Sequence, residues 1–354
     1  MKKFLTRCCF LLVINLSAAV SIVSCSHVIN KQVFDKELLK IIIDNKIRAI
    51  ESIPKDGHVL RARDSEGLTI LHHAVEQNRA EMVKVLIAKG ADVNEKTNAG
   101  ETPLIIATRL GNKKIARILI ENGVDLNLID IFGESAVTVA IKYYENNILE
   151  FLLDLKARTD VMNKNGWTPL FYATEKNNLN AIELLIRHGV DVNSKDSAGY
   201  TPLFIATIEG NKEAGELLIN SGADVNSPDE RGWVPLDHAT LHGRFDLVQL
   251  LLKHGAEINR QNNIGVSPLF YAVYIGNIEM VELLLINSAD ISTSDLLGKT
   301  VLHYACQAGN IEMTKFLIKQ GTNPKALDKK GKTPYDYAVE RGFEEIVEFF
   351  NSLK

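Results

Sequence analysis

Apolar residues along this chain fall into short helical stripes that return at a fixed interval. Leu247, Val248, Leu251 and Leu252 lie at i, i+1, i+4 and i+5, which puts them on one face of a helix. A shorter helix-like stretch precedes that stripe, opened by a Thr-Pro pair or its equivalent. Aligned on Thr69, Thr102, Ser135, Thr168, Thr201, Val234, Ser267, Thr300 and Thr333, the segments repeat every 33 residues without insertion. A glycine stands two residues before each of these positions, from Gly67 to Gly331, and an alanine five residues after, from Ala74 to Ala338. Two unbroken columns over nine copies predict a stack of repeats, which must be recognised before the length of 354 residues is divided into domains.

Each column has a physical reason. Thr-Pro supplies a hydroxyl N-cap followed by proline at the first helical position, where a missing N–H costs nothing. The alanine lets its helix lie close against the next repeat. The second helix ends at Gly255 and, in other copies, at Gly90, Gly123, Gly189, Gly222 and Gly321, where glycine accepts the left-handed conformation of a helix C-terminus. Ala91–Asn94 and Ala223–Asn226 then lead into a turn built on the column glycine.

Gly-x-Thr-Pro-Leu, two helices and Gly-Ala-Asp-Val-Asn at this period resemble the ankyrin repeat. The resemblance implies an all-α ankyrin-repeat solenoid of helix–turn–helix units with loops projecting as hairpin fingers. Nine 33-residue repeats fill residues 64–354. Residues 34–63 read as a degenerate N-terminal capping repeat, because Leu38, Ile41 and Ile42 form one stripe and Ile50 and Ile53 another. Gly57 falls 33 residues before Gly90, but Thr-Pro is missing and Pro54 comes late in the second helix. Terminal repeats need a polar outer face, and Glu344, Glu345 and Glu348 supply one at the other end.

The third copy departs most from the pattern. It has Ser135-Ala136 for Thr-Pro, Tyr144 where most copies have glycine, and Lys156 at the C-terminal glycine position. Ser288 replaces that glycine in the seventh copy. A non-glycine residue in left-handed geometry costs roughly 1 kcal/mol, so the third copy is expected to be the weakest link of the stack.

Composition narrows the partners. Apolar residues make up 46% of the chain, enough for a continuous core, and the formal net charge is −4. No basic run interrupts that balance, which argues against a nucleic-acid partner. At the N-terminus, Lys2, Lys3 and Arg7 precede an apolar run from Cys8 to Val23, the order of an export signal over residues 1–24. Ile22-Val23-Ser24-Cys25 resembles the lipobox of bacterial lipoproteins. The resemblance implies lipidation of Cys25, a tether over residues 25–33, and attachment to the membrane through that anchor only. With Ser26 after the cysteine, where an aspartate in that family favours inner-membrane retention, the same resemblance implies an outer-membrane position facing the periplasm or the exterior. An uncleaved membrane anchor and an ordinary cleaved signal are the alternatives, although Asn15 and the shortness of the run disfavour a full span. Loss of the leader takes the basic count from 40 to 37 against 44 acidic residues, so the mature chain is more acidic still.

Catalytic and metal patterns do not survive inspection, and no cofactor is expected. Gly210 to Gly215 has the spacing of a phosphate loop, but Glu216 stands where its lysine must be. His238 and His242 are four apart, a chelating spacing on a helix, yet both occupy repeat positions and lack a third ligand nearby. His72 and His303 take the fourth place of Thr-Pro-Leu-His, where the ankyrin resemblance implies a hydrogen bond between loops. His188 and His254 precede C-terminal glycines, and Cys306 is the one cysteine left in the repeats, expected to pack as a small core residue.

The ankyrin resemblance implies a partner along a concave face made of finger tips and the ends of first helices. The finger position before the N-cap runs Leu68, Glu101, Glu134, Trp167, Tyr200, Trp233, Val266, Lys299 and Lys332. Its middle stretch, from Trp167 to Val266, is a row of large apolar groups. Phe132 and Ile264 on fingers, and Tyr143, Ile208, Leu241 and Tyr274 at helix ends, extend it. Clustered exposed aromatics mark binding surfaces. The chain is therefore expected to be a monomeric, non-enzymatic scaffold for a protein partner. A secreted effector acting on host proteins is a second reading. A glycan ligand, a passive spacer, or side chains that merely fold against their own hairpins are the others.

Overall fold

A computed structural model describes residues 36–55 and 57–353 of the chain. The expected leader, the expected tether and Cys25 lie outside the described residues. Those described form twenty α-helices and one short 3-10 turn, with no strand beyond two isolated bridges, Ile129 to Ser135 and Ser294 to Thr300. Each repeat contributes a short first helix, such as Pro103–Arg109, and a longer second one, such as Lys113–Glu121. First helices pack on the first helices of neighbouring repeats and second helices on second helices, which gives two layers.

The columns explain the packing. All nine alanines, from Ala74 to Ala338, are fully buried between helices. Phe171, Phe204 and Phe270, three residues after their N-caps, are the largest fully buried side chains. In those three repeats Thr168, Thr201 and Ser267 make no side-chain capping bond, whereas Thr102 and Ser135 accept from the N–H three residues on, at 3.3 and 3.4 Å. The column glycine has two duties. Gly100 has φ +79°, and a Cβ there would stand 2.9 Å from the Cα of Asp130 in the next finger. Gly123 at a helix end has φ +80° with open space around it, so conformation alone requires it.

The first described unit covers the core with Ile42 and Ile50, both fully buried, on the helices Lys36–Ile43 and Ile47–Glu51. Gly57 does not repeat the role of Gly90. Its φ is −62°, because Pro54 lies in a turn that has already left the helix. At the other end Glu344, Glu345 and Glu348 are exposed, as a polar cap requires. Tyr144, Lys156 and Ser288 do adopt left-handed backbone, with φ of 60°, 60° and 71°.

Candidate functional site: the face of fingers and first-helix ends

Each finger is closed by one side chain. Asp130, Asn163, Asp196, Asp229, Asn262, Asp295 and Asp328 accept through Oδ1 from the N–H groups two and four residues on, at 2.8–3.1 Å. The second atom of that group commonly meets the residue nine positions on, at the base of the finger. Asn163 donates to Tyr172 and Asn262 to Tyr271, while Tyr304 and Tyr337 donate to Asp295 and Asp328, all within 2.9 Å. Burial and the neighbouring carboxylate push the Tyr337 hydroxyl up to about 12.

On the exposed face, the finger position before the N-cap pairs with the residue eight positions later. Arg109 grips Glu101 through two bonds of 3.2 and 3.3 Å, and Lys142 meets Glu134 at 2.6 Å. Burial works against the Lys142 charge, but Glu134 prevails and the ammonium is held above its ordinary value. Lys299 reaches Gln307 at 2.8 Å, and Lys332 pairs with Glu340. Between these polar ends the two columns carry Tyr200 and Ile208, Trp233 and Leu241, Val266 and Tyr274.

The expected apolar row divides into three groups. Phe132, Tyr143 and Tyr274 are open to solvent at 65%, 49% and 57%, as is Ile264 at 60%. Trp167, Tyr200, Ile208, Trp233 and Leu241 are half-buried. Val266 is the correction, being 2% exposed and part of the core, because its short branched side chain does not reach past the hairpin as the aromatics do. Leu68 is buried in the same way.

The half-buried aromatics lean on the following repeat. Trp167 donates its indole N–H to Asp196 at 3.0 Å and stacks on Phe171. Tyr200 lies on Phe204 and edges the ring of His238, and Trp233 sits 4.3 Å from Tyr271. These rings hold repeats together as well as presenting an edge to solvent. The pairing of flanking charges was not foreseen, although the constant spacing of eight residues was visible in the sequence.

The histidines serve the scaffold. His72 bridges Thr69 to the carbonyl of Glu95 at 3.1 Å, and His303 bridges Thr300 to that of Lys332 at 3.1 Å. Burial pulls His72 down to about 4. His238 is packed among Tyr200, Phe204 and Trp233, neither ring nitrogen has a partner, and burial again pulls it to about 4. His242 instead bonds the carbonyl of His238 at 2.9 Å. Gly215 lies inside the helix Lys212–Asn220, where a Cβ would press Leu247 at 3.0 Å, so close helix approach explains it. Cys306 is buried, which pushes its thiol up to about 12. Among the described residues, no cluster of three His, Cys, Asp or Glu could hold a metal, and no helix is long and apolar enough to cross a membrane.

The family model described as ankyrin repeats (3 copies) matches residues 29–130, 122–196, 194–262 and 264–352. The chain belongs to the ankyrin-repeat family. Its repeats account for the buried columns, the finger turns and the bridging histidines, so what remains to be explained is the open apolar side chains of the ankyrin face. No curated protein matches the chain.

Proposed function

We propose that this ankyrin-repeat chain is a monomeric, non-enzymatic scaffold that holds a protein partner along its face of fingers and first-helix ends. The observation that carries the reading is the exposure of Phe132, Tyr143, Ile264 and Tyr274 on that face. Their burial by a partner would remove apolar surface from water, and aromatic groups supply much of the energy of such contacts. The stack is already formed, so binding carries little ordering cost. The test is crosslinking and capture with wild type, Ile264→Ser/Tyr274→Ser and, as a control, Ile286→Ser. Ile286 is 82% exposed but lies on a second helix. Loss of the captured protein in the first variant alone, with helicity unchanged, supports the reading, and equal capture by all three removes the site from this face.

Export and a lipid anchor at Cys25 belong to the same proposal, supported by the basic head, the apolar run and Ile22-Val23-Ser24-Cys25. The destination is the outer membrane, facing the periplasm or the exterior. Incorporation of a clickable palmitate analogue by wild type and its absence in Cys25→Ala tests this part. An unlabelled wild-type chain recovered from culture fluid would favour the secreted effector.

A further inference from the structure

Three sets of cross-repeat bonds recur along the stack, and the junction between the third and fourth repeats lacks all three. Fingers are joined tip to tip by backbone bonds from the N–H of Asn98, Ile131, Ser197, Glu230, Asn263, Leu296 and Lys329 to the preceding finger, at 2.9–3.4 Å. The corresponding bond from Lys164 N–H to the Phe132 carbonyl is absent. Asn94, Asn127, Asn193, Asn226 and Asn259 each accept from a backbone N–H of the next repeat at 2.8–2.9 Å. Asp160 occupies that position here and instead binds Arg158 at 2.9 Å within its own loop. Arg63, Lys96, Lys195 and Gln261 reach a carbonyl of the next repeat, whereas Met162 at this junction has nothing to donate, as is also true of Ile129 and Pro228 at theirs.

A groove of about 580 Å³ lies at this junction. Phe132 and Tyr143 form part of its wall, with Ile131 beside them, and all three are exposed. Two of its carboxylates, Glu101 and Glu134, are already paired with Arg109 and Lys142. Asp130 is not. Its Oδ1 holds the finger, but Val139 stands nine residues on, where Tyr172, Tyr271, Tyr304 and Tyr337 meet the matching group of their own fingers, and no bond reaches Oδ2 among the described residues.

We infer that this groove receives an extended segment of the protein partner in which a basic residue stands next to a bulky apolar one. The inference rests on the reading of the chain as a partner-binding scaffold. A free N–H at Lys164 and a free C=O at Phe132 are what an extended backbone satisfies when it lies along a hairpin edge. The Asp130 carboxylate takes the basic side chain, with the Phe132 and Tyr143 rings nearby to favour a cation and cover an apolar neighbour. Lys164 stands on the facing finger, so the basic residue sits on the Asp130 side.

The test is panning of a phage-displayed library of linear peptides against the full chain, followed by affinity measurement with the enriched peptides. Asp130→Asn keeps the finger closed, since Asn163 and Asn262 perform that task in their own fingers. Enriched peptides should carry Arg or Lys beside a large apolar residue. They should bind Asp130→Asn about tenfold more weakly and Phe132→Ala/Tyr143→Ala more weakly still. Replacing the basic residue by Gln should cost about the same tenfold, and Asp130→Asn should then add no further loss. Peptides without this pair, or peptides indifferent to both variants, overturn the inference. If their binding falls instead in Ile264→Ser/Tyr274→Ser, the partner surface stands and only its placement here fails. Failure to enrich any peptide also overturns it, while the capture experiment continues to judge the scaffold itself.

Discussion

Val234→Thr should stabilise the protein, although placing a hydroxyl at a fully buried position ordinarily does the opposite. Val234 caps the helix Pro235–Leu241, and its backbone N–H donates to Asp237 at 2.8 Å. The other oxygen of Asp237 has no partner, and burial pushes the carboxyl up to about 7. The last repeat shows what a hydroxyl adds to such a cap, a second bond to the oxygen that already accepts from the backbone. There a single oxygen of Asp336, Oδ2, accepts from both the N–H and the hydroxyl of Thr333 at 2.7 Å, and the hydroxyl bond holds that carboxyl below its ordinary value. Both caps have extended backbone, with ψ of 164° and 165°, so a threonine at 234 meets the same geometry. A hydrogen bond to a charged group contributes about 1.5–3 kcal/mol, and the lost methyl burial costs about 1 kcal/mol. The expected net gain at pH 8 is about 1 kcal/mol, read from the urea midpoint by circular dichroism and by the fluorescence of the adjacent Trp233. In a background of Asp237→Phe, the residue type of Phe171, Phe204 and Phe270, the gain should turn into a loss. A loss of 1 kcal/mol or more in the wild-type background, or the same change in both, refutes the reasoning.

The buried groups also set a pH dependence. His72 and His238 titrate near 4 when folded and near 6.5 when unfolded, so stability present above pH 6.5 is lost as pH falls toward 4. Asp237 acts in the opposite sense, because its folded value near 7 exceeds the unfolded value of 3.8, and its contribution is lost as pH rises from 4 to 7. Urea midpoints at pH 5 and pH 7 should therefore differ more in Asp237→Asn than in wild type, and identical differences would remove Asp237 from the account. Amide exchange should be faster at Lys164 than at the matching finger residue Ser197, whose N–H donates to the Asn165 carbonyl. Uniform protection across residues 131–163 would contradict a weakened junction there.

The repeat itself was legible because the same physical demand recurs nine times. A glycine that must be left-handed, and must also admit the next finger, leaves an unbroken column, as does an alanine trapped between helices. The departures at the third repeat were equally visible as Tyr144 and Lys156. Their consequence was less so, because the missing bonds depend on residues such as Asp160 and Met162 that matter only through partners one repeat away. The aromatic row is only partly open to solvent for the same reason. Trp233 meets Tyr271 and Trp167 meets Asp196, contacts across a repeat boundary that a column alone does not show. Val266 belongs to the column and yet lies in the core, since side-chain length decides whether that position reaches solvent.

The most direct measurement places a photo-crosslinking amino acid at Tyr274 on the finger face and, separately, at Ile286 on the second helix of the same repeat. The account predicts that Tyr274 captures one discrete protein species, that Ile286 does not, and that Ile264→Ser weakens the capture. Capture from Ile286 alone, or equal and indiscriminate capture from both positions, would contradict a partner held on this face.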